Sequence, residues 1–82
     1  MSEATSEKFS VLDTLTLTHP DLNHQIVYQA RKYDDGTYSV WISDPAPRKL
    51  HNSLNAEHAE TDARTYAEVA EISYGGTLTR NV

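Results

Sequence analysis

The side chains best suited to acid–base chemistry or metal ligation near neutral pH are four histidines: His19, His24, His51 and His58. Their spacing argues against both roles. His19 and His24 are separated by a Pro-Asp turn, and His51 and His58 by the start of a helix. A helical zinc pair instead needs two ligands four residues apart on one face. No cysteine is present to complete a ligand set, and disulfides are excluded for the same reason. No serine lies in a nucleophile-elbow sequence, and Gly75-Gly76 follows a helix instead of opening one, so no glycine loop cradles a phosphate. The sequence predicts a protein that binds and does not catalyse, with no metal and no cofactor.

Two groups of residues suit recognition. The only tryptophan, Trp41, falls in a strand pattern beside Arg31 and Gln29. Trp and Arg are favoured anchors because each buries a large area while keeping polar donors. The second group is a row of carboxylates on a helix: Glu57, Glu60, Glu68 and Glu71, with Arg64 among them. Such a row is most simply a solvated face in which Glu60–Arg64 and Arg64–Glu68 pair at one-turn spacing. Its functional reading is a negative stripe offered to a basic cleft, with electrostatic steering of the encounter.

The elements that must position these residues follow from periodicity. Phe9, Val11, Leu15 and Leu17 alternate with Thr14, Thr16 and Thr18, the pattern of a strand with one apolar side on which Asp13 is a blemish. His19-Pro20-Asp21 ends it. Two further strands flank Asp34-Asp35-Gly36, and their register is decided by the side chains. A two-residue loop would mix polar and apolar groups on one face. A three-residue loop with Gly36 left-handed pairs Ala30 with Val40 and Tyr28 with Ile42, gathering Ile26, Tyr28, Ala30, Tyr38, Val40 and Ile42 on one side. That register turns Val27, Gln29, Arg31, Ser39, Trp41 and Ser43 to the other side.

Asp44-Pro45-Ala46-Pro47 should stop the third strand, leaving Arg48 to Ser53 as a loop. A helix is predicted from about Leu54 to Ser73, capped by Ser53 or Asn55 and stopped by Gly75-Gly76. Ala56, Ala59, Ala63, Tyr66, Ala67, Ala70 and Tyr74 share one arc of it, so its small face can lie close to a sheet; Val69 and Ile72 lie off that arc. Thr77 to Arg80 alternates weakly and suits a short edge strand. The expected fold is α+β: a three-stranded antiparallel meander packed against one C-terminal amphipathic helix, in the order β-β-β-α, over residues 9–82. Residues 1–8 read as a disordered, polar tail with no apolar stretch of a signal peptide.

The net charge is −5, and it is uneven: residues 1–21 and 53–82 are acidic, whereas Arg31, Lys32, Arg48 and Lys49 make the middle mildly basic. An acidic chain is a poor match to a phosphate backbone, so direct nucleic-acid binding is not expected. No apolar run reaches the ~20 residues of a membrane helix. A cytoplasmic location is expected, as monomer or homodimer.

The run Tyr33-Asp34-Asp35-Gly36-Thr37-Tyr38-Ser39-Val40, continuing to Asp44-Pro45 and then a helix, resembles the strand–turn–strand–helix layout of HicB-type antitoxins. Pro45-Ala46-Pro47 stands where that family has a Leu-Pro-Gly-type run, and no functional residue transfers. Three functions remain in view. The first is a small acidic inhibitor, carried by a phage or mobile element, that binds a protein of a host defence complex (an anti-CRISPR or anti-restriction type). The second is a HicB-like antitoxin or regulatory partner. The third is a weak nucleic-acid-binding module that uses Trp41 and the basic middle.

Overall fold

The computed structural model describes residues 8–81. The tail expected over residues 1–8 lies outside them except for Lys8, whose carbonyl accepts the Asp34 N–H at 3.0 Å. The chain forms β1 (Phe9–Thr18), β2 (Ile26–Tyr33), β3 (Tyr38–Ser43), β4 (Pro47–Ser53), α1 (Ala56–Tyr74) and β5 (Thr77–Asn81). All strands join one antiparallel sheet in the order β4-β3-β2-β1-β5, and α1 packs on one face of it.

The architecture is α+β with one C-terminal helix, as expected, but the sheet has five strands instead of three. The edge strand after the helix is present and pairs with Thr14–Thr18 of β1. The larger correction concerns Arg48 to Ser53, expected as a loop. This segment forms β4 and returns along β3, with Tyr38 opposite Ser53 and Ser43 opposite Pro47. Its gain is the pairing of backbone groups along an edge of β3 that would otherwise lack partners. Pro47 is tolerated because it opens an outermost strand, and charged Arg48 and Lys49 suit an edge.

The β2–β3 hairpin adopts the three-residue loop. Ala30 faces Val40 and Tyr28 faces Ile42, Gly36 has φ +88°, and the Tyr33 N–H donates to the Thr37 carbonyl at 2.9 Å. Ile26, Tyr28, Ala30, Val40 and Ile42 are buried together with Leu15 and Leu17, and Tyr38 packs against them. Ala59, Ala63, Ala67 and Ala70 cover this face from the helix, the small side chains allowing close approach. Tyr66 and Tyr74, placed on the same arc, sit at its margin and stay exposed, as do Val69 and Ile72. Asn55 is the N-cap, its side chain accepting the His58 N–H at 2.9 Å.

Two β-bulges reset the alternation. One falls between Val11 and Asp13 in β1, the other opposite Val40 and Trp41 in β4. The residue squeezed out is Leu12 in the first and Leu50 in the second, and both pack against the core. A bulge shifts the two-residue phase by one. The expected single apolar side of β1 is therefore split: Leu15 and Leu17 face the helix, while Phe9 and Val11 face the other way and are exposed. Asp13, the apparent blemish, points to the core face and is 3% exposed. Arg80 of β5 satisfies it, with Nε 3.0 Å and Nη2 3.0 Å from Oδ2, while the Thr14 N–H donates to Oδ1 at 2.9 Å.

Candidate functional site: the open face of the sheet

The side of the sheet away from α1 is covered by no other element among the described residues. Register places Phe9 opposite Tyr33, Val11 opposite Arg31, Gln29 opposite Trp41 and Trp41 opposite Lys49. Arg31 is the centre of this group. Its guanidinium carbon lies 4.1 Å from the centroid of Phe9 and 4.4 Å from that of Trp41, so a planar cation sits over two aromatic rings. Arg31 Nε donates to Gln29 Oε1 at 3.1 Å and Nη1 to the Tyr33 hydroxyl at 3.3 Å. The Trp41 indole N–H donates to Ser39 Oγ at 3.0 Å. Phe9 and Tyr33 rings stand 5.4 Å apart in a tilted pair. Phe9, Gln29, Arg31, Tyr33 and Trp41 are thus each held by a neighbour, and their side-chain entropy is lost in folding instead of on binding.

The sequence reading placed Trp41, Arg31 and Gln29 on one face, and the structure brings them together. It missed Phe9 and Tyr33. Strict two-residue alternation through Leu12 puts Phe9 on the side of Leu15 and Leu17, and the bulge at Leu12 turns it outward. Beside Trp41 a groove of about 530 Å³ opens, bordered by Tyr33, Thr37, Lys49, Asn52 and Leu54. At its rim Asp35 accepts from the Thr37 hydroxyl at 2.6 Å and from its N–H at 3.0 Å, and these bonds hold the Asp35 carboxyl below its ordinary range.

Glu57, Glu60, Glu68 and Glu71 lie on the helix, on the opposite side of the sheet from Trp41. Glu57 and Glu68 are exposed, Glu60 and Glu71 half-buried. The pairs expected around Arg64 are not closed: neither Glu60 nor Glu68 approaches it within ion-pair distance, and Arg64 Nε is buried without a partner among the described residues. The two candidate surfaces are separate, and charge divides with them. The strands carry Arg31, Lys32, Arg48, Lys49 and Arg80 against Asp13 alone. The helix carries Glu57, Glu60, Asp62, Glu68 and Glu71 against Arg64 alone.

Two of the histidines tie segments together. His24 meets Asp44, joining the turns that follow β1 and β3. His51 Nε2 and Ser53 Oγ both meet Asp62 Oδ2, at 3.1 and 2.9 Å, fastening β4 to α1. This is not the relay of a serine hydrolase, in which histidine stands between serine and carboxylate. No group of three or more potential metal ligands occurs among the described residues. Compared with known proteins, the chain matches no family model, no curated protein and no solved structure.

Proposed function

We propose that this chain is a non-catalytic, protein-binding module that grips its partner with the open sheet face around Trp41. The observation that carries the reading is the Phe9–Arg31–Trp41 stack on a face no helix covers. Clustered Trp, Tyr and Arg side chains, fixed before binding, are what interface hot spots are made of. Among the described residues the face supplies two outward cations, Arg31 and Lys49. With so few phosphate contacts, counterion release contributes little affinity, which favours a protein over nucleic acid.

In its most specific form the reading is a stoichiometric inhibitor of a host defence complex, of the kind phages and mobile elements carry. Oppositely charged layers suit it: the sheet face anchors, and the helix carboxylates, with Glu57 and Glu68 outermost, oppose a basic nucleic-acid cleft. A HicB-like antitoxin would use the same anchor on a cognate toxin.

The test is affinity capture from a bacterial lysate, with and without nuclease, using wild type and Trp41→Ala. A protein partner retained after nuclease and lost with Trp41→Ala supports the reading, and its identity separates inhibitor from antitoxin. Partner capture unaffected by Trp41→Ala, or recovery of nucleic acid alone, refutes it.

A further inference from the structure

Resting on that reading, we infer that the open face is built for an acidic segment of a protein, with a partner carboxylate received between Arg31 and Lys49 beside Trp41. Three observations converge. First, Asp13 is the only carboxylate in the five strands, and it is turned to the helix side and buried, so among the described residues the strands' open face carries cations without a balancing anion. Second, Arg31 is held flat by Phe9 and Trp41 while Nε and Nη1 donate to Gln29 and Tyr33. Among the described residues its Nη2 has no acceptor, which leaves one edge of the guanidinium as a donor. A guanidinium of fixed plane with donors left over matches a carboxylate better than a mobile lysine does.

Third, Lys49 stands directly across from Trp41 on β4, so the indole has Arg31 on one side and Lys49 on the other. The adjoining groove of about 530 Å³, bordered by Tyr33, Thr37, Asn52 and Leu54, accepts an apolar side chain next to that carboxylate. Asp35 at the far rim is already satisfied by Thr37 and repels a second carboxylate there, which sets the direction of approach. The partner chemistry is therefore acidic residues interleaved with large apolar ones.

The test is an NMR titration of the whole protein, following the Trp41 Nε1–H and Arg31 Nε–H signals. The probes are a short capped peptide of alternating Asp and Phe, its Asn/Phe and Lys/Phe counterparts, and oligothymidylate. The acidic peptide should move both signals and the Lys49 amide, and bind about tenfold more tightly than the Asn peptide, as charge-assisted bonds do relative to neutral ones. Lys49→Glu, on an exposed edge strand, should remove most of that preference while the spectrum stays folded. If the Asn peptide binds the same face equally well, carboxylate recognition is wrong and the protein-binding face survives. If no peptide moves these signals and Trp41→Ala leaves partner capture intact, both readings fail. Oligothymidylate binding more tightly than the acidic peptide at this face overturns the inference in favour of nucleic acid.

Discussion

Replacing Arg80 with Ala removes the cation that neutralises Asp13, sixty-seven residues away in sequence. Arg80 makes contacts of 3.0 and 3.3 Å from Nε and 3.0 Å from Nη2, leaving Asp13 afterwards with only the Thr14 N–H. The Asp13 side chain is 2% exposed and that of Arg80 44%, so the two halves of the pair are not equivalent. Stripping the partner from a buried charge costs about 3–5 kcal/mol, and partial exposure of the site lets water return some of it, giving about 3 kcal/mol for Arg80→Ala. Asp13→Ala leaves a cation that solvent can reach and should cost only about 1 kcal/mol. The double variant should resemble Asp13→Ala, with a coupling energy of about 3 kcal/mol. An 82-residue domain is stable by roughly 4–12 kcal/mol, so the Arg80 change is large. Urea unfolding followed by circular dichroism should show a midpoint lower by about 2 M or more, and thermal unfolding a Tm lower by more than about 10 °C. If Asp13→Ala destabilises more than Arg80→Ala, or if Arg80→Ala falls within about 0.5 kcal/mol of wild type, the pair does not anchor β5.

Trp41→Ala should lower stability by about 1 kcal/mol or less while weakening the captured partner about thirtyfold, which surface plasmon resonance against that partner would measure. Reversing Glu60, Glu68 and Glu71 to Lys together should slow association in a salt-dependent way if the helix opposes a basic cleft; an unchanged rate would dismiss the stripe. Gly76→Ala should destabilise by about 2–3 kcal/mol, since φ is +101° and an added Cβ would lie 2.5 Å from the Thr18 carbonyl oxygen, whereas Gly36→Ala, at φ +88° in open space, should cost about 1 kcal/mol in the same urea assay. Burial first, then Asp44 and Tyr74, raise the Tyr28 hydroxyl above its ordinary 10.0. The unfolded chain loses that proton first as pH rises, so stability should be level below pH 10.0 and fall above it, and Tyr28→Phe should reduce the slope in alkaline unfolding curves.

Local chemistry made part of this protein legible without coordinates. The β2–β3 register follows from which side chains can share a face, and Gly36 supplies the left-handed residue the turn needs. The alanine face of α1, its Asn55 cap and its stop at Gly75 are likewise set by residues within a turn or two of one another. Those interactions placed Trp41, Arg31 and Gln29 on a common outer face. Tertiary structure decided what depends on distant partners. Alternation specifies a face only relative to its neighbours, so one extra residue at Leu12 reverses everything before it and sends Phe9 out to stack on Arg31. Pro47–Ser53 has no strand periodicity of its own and pairs because β3 offers it a free edge, with Leu50 pushed into the core. Asp13 looks misplaced until the chain returns after the helix and sets Arg80 beside it. Burial in each case is a property of two segments meeting, and neither segment alone contains it.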